Sequence, residues 1–194
     1  MDIAPIIRRI QEGDRSAFAG VVRHFQGPLF GYLGRMGLGQ AIAQELAQES
    51  FLRAWTHLAE FDPKRAQFST WLFTIARNLA LNELGSATQK HERLRTHNAA
   101  HDDVDSDTTD SVVCAAAQPP QVLEDMQRRL HLQLALRALS VQDRSALALA
   151  YFQELKLDDV ARIEGCTVGA IKVRLHRAKQ RLRELLENDH APEI

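Results

Sequence analysis

Apolar positions along this chain recur at intervals of three and four, and alternation of the strand type between Gly turns is missing. The pattern predicts an all-α protein made of two helical blocks. Residues 2–12 form a short helix closed by Gly13. Asp14 opens a second that runs to about Met36, broken by Gly27 and Pro28 and ended at Gly37. A third covers 40–60, with Ala43, Ala47, Phe51, Ala54 and Leu58 at helical spacing. After the loop FDPKRAQF, Ser69 or Thr70 caps the helix TWLFTIARNLALNEL, which is expected to fray near Gly85.

The second block starts with an amphipathic helix over 122–139, whose apolar positions are Val122, Met126, Leu130, Leu134 and Leu136. Ser140 to Asp143 reads as a cap for a helix ending near Phe152. A short helix over 157–163 stops at Glu164 and Gly165, and Thr167 caps the last and longest helix. Between the blocks, residues 99–120 carry five Asp and no Lys or Arg and end in Pro-Pro. Such a stretch cannot bury enough surface to offset its ordering and reads as a flexible acidic linker. The expected domains are 1–95 and 121–188, with a linker at 96–120 and a tail at 189–194.

Composition narrows the picture. A net charge of −1 excludes general attraction to polyanions, so any nucleic-acid binding must come from local segregation of charge. Cys114 and Cys166 form neither a C-x-x-C nor a disulfide framework, which fits a reducing cytoplasm. No apolar signal core opens the chain, and no apolar run is long enough to span a bilayer. The expectation is a cytoplasmic protein without membrane insertion. His91, His97, His101 and Cys114 raise the question of a metal, but a disordered segment lacks preformed geometry, and neither metal nor cofactor is expected.

The charge segregation lies in the last helix. Short helix, Gly, cap and longer helix is the order of a helix–turn–helix. From Gly169 to Arg183 the chain carries six Lys or Arg and no acid. At about 100° per residue, Ile171, Leu175, Ala178, Leu182, Leu185 and Leu186 gather into one inward stripe. Arg174, Arg177 and Arg181 flank it on one side, and Lys172, Lys179 and Arg183 on the other. Gly169, Val173, His176 and Gln180 form the outward edge. A slim edge toward the bases with cations toward both phosphate walls suits a major groove. Thr167 and the free N–H groups at the helix start add phosphate contacts. Long cations also rim ordinary amphipathic helices; such rims usually mix in acids, and here the first acid is Glu184.

These residues carry a resemblance. LDDVARIEGCTVGAIKVRLHRAKQRLRELL is similar to region 4 of the extracytoplasmic-function (ECF) sigma factors of bacterial RNA polymerase, where "G-T-V-K-S-R-L-x-R-A-R" is typical. Ala170 and Val173 replace the Thr and Ser of that pattern. QELAQESFLRAW and FSTWLFTIARNLALNEL resemble region 2 of the same family. The resemblance implies two small helical domains that hold core RNA polymerase and direct it to promoter DNA. Region 4 reads the −35 element as duplex through Thr167, Gly169, Ala170, Lys172, Val173, Arg174, His176, Arg177, Lys179 and Arg181. Region 2 opens and holds the −10 element.

Physical readings stand beside these implications. Gln44, Glu45, Gln48 and Glu49 share the polar face of their helix. Alone they are a solvated face; the resemblance makes them the docking face for the polymerase largest-subunit coiled coil, where acid suits a basic partner. Lys64, Arg65, Gln67, Phe68 and Ser69 in the first loop, with Arg77 and Asn78 on the next helix, are the candidate contacts to single-stranded DNA. Packing in the core is the competing role for Phe68 and Trp71. Gly85 and Ser86 replace a basic pair usual in the family, and cations resume only at Lys90, Arg93 and Arg95, which weakens the backbone contact there or moves it downstream.

The family's habit adds an anti-sigma factor as a partner. The rival reading is a helix–turn–helix regulator that acts without polymerase; the first block does not resemble a sensor or dimerisation unit. No metal-ligand spacing, phosphate loop or catalytic constellation supports an enzyme.

Overall fold

The computed structural model describes the backbone of residues 3–97 and 120–188, and side chains within these spans except 87–97, 120–127, 129 and 188. The acidic linker and the cations at Lys90, Arg93 and Arg95 therefore lie outside the described residues or side chains. Eight α-helices carry the described chain, and no strand occurs among the described residues. The first block is α1 (Ala4–Gln11), a 3-10 turn (Arg15–Ala17), α2 (Phe18–Arg35), α3 (Gln40–Thr56), a second 3-10 turn (Leu58–Glu60) and α4 (Phe68–His97). The second is α5 (Pro120–Arg137), α6 (Val141–Leu147), a π-turn (Ala148–Phe152), α7 (Leu157–Glu164) and α8 (Val168–Asn188).

Helix α2 does not break at Gly27-Pro28. Proline inside a helix costs about 3 kcal/mol through its lost N–H and its clash with the preceding turn. Against this, Val21, Phe25, Leu29, Tyr32 and Leu33 are all buried on both sides of Pro28. Each such side chain contributes roughly 1.5–3 kcal/mol, so the continuous helix prevails. Helix α4 likewise passes through Gly85 to His97 without ending; one Gly costs only about 1 kcal/mol in a helix. It also begins at Phe68, ahead of the expected caps. Thr70 lies inside it and its Oγ1 donates to Asp159 Oδ1 at 2.9 Å.

The inward stripe of α3 matches its sequence spacing, with Ala43, Ala47, Phe51 and Ala54 buried. In α5 the expected stripe is corrected: Leu130 and Leu134 are exposed. The buried positions are Ala135, Leu136 and Leu139, with Leu132 packed beside them. This set, at i, i+3, i+4 and i+7, is the one that packs against the second block's core, so docking chose between two apolar stripes.

The turn of the helix–turn–helix follows its local chemistry. Gly165 adopts φ 65° and ψ 36°, a left-handed conformation that disfavours a Cβ. Cys166 N–H then bonds back to Ala161 O at 3.0 Å, closing α7. Thr167 Oγ1 accepts from Ala170 N–H at 3.2 Å and caps α8, as its position predicts. Ser140 caps α6 in the same way, accepting from Asp143 N–H at 3.1 Å.

The two blocks share one apolar core. α4 packs along α7, and α2 meets α6 and the π-turn. Their junction is polar at its centre, where a carboxylate of the second block sits among groups of the first.

Candidate nucleic-acid interface

On α8, Ile171, Leu175 and Ala178 are buried and hold the helix to the fold. Thr167, Gly169, Ala170, Lys172, Val173, His176, Arg177, Lys179 and Arg181 are exposed, and Val173 stands 51% open at the outer edge. The sequence-predicted groove face is therefore assembled on one side of the molecule. Among the described residues Lys172 and Arg177 form no ion pair, so their charge is uncompensated. Lys179 lies over the Tyr151 ring at 5.3 Å. Arg181 pairs with Glu184 at 3.2 Å and Arg183 with Glu187 at 2.6 Å, exposed pairs that salt screens.

Arg174 departs from this set. Its Nη1 donates to Glu164 Oε2 at 3.0 Å. Arg77, a candidate contact from the other block, donates to the same carboxylate twice: Nε to Oε1 at 2.9 Å and Nη2 to Oε2 at 3.0 Å. The Glu164 side chain is fully enclosed. Ser145 Oγ completes its shell as a fourth donor. Since the serine has a single O–H and gives it to a carboxylate, Tyr32 O–H is the donor to Ser145 Oγ, at 2.8 Å. Burial pushes the Tyr32 phenol well above its usual range. A buried carboxylate with four donors and two guanidinium groups is compensated; the same group with one partner removed would not be.

The loop before α4 holds the other candidates. Lys64, Arg65 and Gln67 are exposed, and Asp62 shapes the loop by accepting Lys64 N–H at 2.9 Å on its side chain. Ser69 is half-buried and Asn78 exposed. Phe68 is 4% exposed and packs against Phe25, Phe61 and Trp71, so in this form it supports the loop from beneath. Trp71 packs on Phe61 at 5.2 Å between ring centroids. Beside the loop lies a cleft of ≈ 660 Å³ lined mostly by the first block, among them Ile7, Pro28, Phe61, Pro63 and Gln67, and by Gln153 and Leu155 of the second.

On α3, Gln44, Glu45 and Gln48 are exposed, and Glu49 accepts from Arg53 Nε at 2.6 Å. Leu52 stands 58% exposed on the same face. Sequence reasoning passed over it, although it follows Glu45 and Gln48 at i+7 and i+4. Glu164, Asp159, Ser145, Thr70 and Tyr32 were also missed. The available signal was weak: an acid and a serine at positions that helical spacing turns toward the core.

Residues 21–89 match Sigma-70 region 2, and residues 129–182 match Sigma-70 region 4. Together the two matches take in the α3 face, the loop and the helix–turn–helix. The chain is 28% identical over 188 residues to the ECF RNA polymerase sigma factor SigW of Bacillus subtilis, covering 97% of this chain and 98% of SigW.

The chain belongs to the ECF sigma factors.

Other likenesses agree. The RNA polymerase sigma-H factor of Pseudomonas aeruginosa is 28% identical, over 94% of this sigma factor and 92% of that one. Among solved structures, the sigma factor RpoE of Bartonella quintana, in complex with the anti-sigma factor NepR, aligns with a TM-score of 0.62. It is 26% identical over 89% of this chain and 98% of that one. CnrH, solved with the cytosolic domain of CnrY, shares the fold at a TM-score of 0.65 and 21% identity, over 95% and 96% of the two chains. No helix among the described residues of this sigma factor is long and apolar enough to cross a membrane, and no described cluster of His, Cys, Asp or Glu could hold a metal ion. His91, His97, His101 and Cys114 lie outside the described side chains.

Proposed function

We propose that this sigma factor binds core RNA polymerase in the cytoplasm and directs it to promoters, residues 1–95 holding the enzyme and opening the −10 element and residues 121–188 reading the −35 element. The observation that carries the reading is the exposed cationic face of α8, seated on a helix–turn–helix, in a chain that matches both Sigma-70 regions. Lys172, Arg177, Lys179 and Arg181 reach phosphates, while Gly169, Val173 and His176 face the base edges. Thr167 and Ala170 lie at the helix start, where N–H groups favour an anion. Arg174 joins them once it leaves Glu164.

In the first block, Lys64, Arg65 and Gln67 meet the displaced strand at the loop, supported by Phe68 and Ser69, and Asn78 and Arg77 lie behind it. The face of Gln44, Glu45, Gln48 and Glu49 docks on a basic element of polymerase. Bond-making belongs to the polymerase, and the sigma factor supplies position alone. The Bartonella relative was solved with an anti-sigma factor; we extend that class of partner to this chain.

Sedimentation with core polymerase tests the reading. Co-migration, with promoter-dependent transcripts sharing a two-part upstream motif, is the expected result. A chain that shifts DNA but ignores core polymerase is instead an independent regulator.

A further inference from the structure

We infer that α8 recognises a thymine methyl in the −35 element, with Val173 as the residue that sets the preference and Ala170 beside it. The inference rests on the promoter-binding reading and names one base that the duplex must carry. Three observations support it. Val173 is 51% exposed on the outward edge of α8, where a β-branched apolar side chain gains neither burial nor helix propensity. Ala170 is exposed one turn earlier, and its N–H is already given to Thr167 Oγ1 at 3.2 Å, which leaves a methyl as what it offers outward. Gly169 lies in α8 without a positive φ, and a Cβ added to it would meet nothing nearer than Thr167 Oγ1 at 3.9 Å. The fold itself therefore does not call for glycine there; the missing side chain leaves room for an outside surface to approach the backbone.

A single exposed valine is ordinary on any surface. Here it shares one spot with Ala170, since positions three apart are neighbours on a helix. Lys172 and Arg177 stand to either side, exposed and without an ion pair among the described residues. Ala170 and Val173 are also the positions where the chain replaces two hydroxyls of the region 4 pattern. The spot between the cations is thus apolar where the pattern is polar.

Of the four bases, thymine alone shows a methyl in the major groove, at C5; cytosine shows an amino donor at the neighbouring position. Lys172 and Arg177 hold the phosphates and bring the spot against a base edge. An isopropyl group there covers the thymine methyl and removes it from water. Against cytosine the same group covers the N4 amino group and gives it no acceptor, which is a cost. Discrimination therefore comes from attraction and from exclusion together.

The test uses the full chain bound to core polymerase and a library of promoter duplexes with a randomised upstream region. Sequencing the duplexes that yield transcripts gives the −35 element. Each thymine of that element is then replaced singly by deoxyuridine, which lacks only the C5 methyl, and binding is measured by competition. One replacement should weaken binding of the parent by about fourfold, the effect of one methyl returned to water. Val173→Ser should bind the thymine and deoxyuridine duplexes equally well and should no longer select thymine at that position. Val173→Thr, which keeps a methyl, should retain part of the difference. Because Val173 is exposed, both variants keep the parent's fold, which circular dichroism checks. The contact is overturned if the selected element holds no thymine, if no deoxyuridine replacement weakens the parent, or if Val173→Ser keeps the parent's full loss. A chain that binds core polymerase and gives such a result loses only the methyl contact. A chain that does not bind core polymerase overturns the promoter reading, and this inference with it.

Discussion

Arg77 and Glu164 stand 87 positions apart in the sequence and meet fork to fork, with both hydrogen bonds between 2.9 and 3.0 Å. The pair lies where α4 of the first block packs on α7 of the helix–turn–helix. It makes the junction between the blocks a charged contact, with consequences for each substitution around it.

Charge reversal on α8 should separate two kinds of arginine. Arg177 is exposed and has no ion pair among the described residues, so Arg177→Glu should weaken promoter binding and reduce the salt slope by about one, leaving stability within about 0.5 kcal/mol. Arg174→Glu should weaken binding too, and it should also cost roughly 3 kcal/mol in stability, because it sets a second carboxylate against enclosed Glu164. Urea denaturation with DNA titration across salt concentrations checks both. Equal stability losses for the two variants would contradict the burial difference.

On α3, Glu45→Lys with Glu49→Lys should weaken binding to core polymerase by about tenfold, equivalent to roughly 1.4 kcal/mol. Helix content should be retained, because the Glu49–Arg53 pair that is lost is an exposed i,i+4 contact worth only about 0.3–0.5 kcal/mol. Leu52→Asp should have a comparable effect on binding, since an exposed leucine amid polar neighbours has no packing to lose. Fluorescence titration against core polymerase and circular dichroism are the measurements.

Tyr32→Phe removes the O–H given to Ser145 and should cost about 1 kcal/mol. The parent phenol has a further signature. Its pKa is raised in the folded state, so the folded chain holds that proton more tightly than the unfolded chain does. The corresponding stability is complete below the unfolded value of about 10 and declines as pH rises above it. In a Tyr151→Phe chain, phenolate absorbance should therefore appear above that value or together with alkaline unfolding. Titration at the ordinary value in the folded chain would mean that the phenol is open to water.

Gly165→Ala should lower stability by about 1–2 kcal/mol, the cost of holding a Cβ in the left-handed region. No heavy atom lies within 4 Å of the added Cβ, so the loss would be conformational, with no clash to relieve. Thermal melting checks it. An unchanged midpoint would show that the turn can adopt another conformation at little cost.

Much of the scaffold was decided locally. The helix periods, the caps at Ser140 and Thr167, the left-handed Gly165 and the crowding of cations on α8 follow from residues within a few positions of each other, so the chain's own order reveals them. The exposed cationic face of α8 and the exposed polar face of α3 were legible for that reason. Local rules failed where burial outweighed them: α2 runs through Pro28 because five apolar side chains are buried on its inner face, and α5 turns Leu130 and Leu134 outward because another stripe docks. The Glu164 cluster needed tertiary structure altogether. Nothing in the spacing of Arg77, Ser145, Glu164 and Arg174 says that they meet, because the meeting depends on how two separately patterned blocks dock. A carboxylate enclosed in such a junction needs donors, and only the docking of the blocks brings them to it.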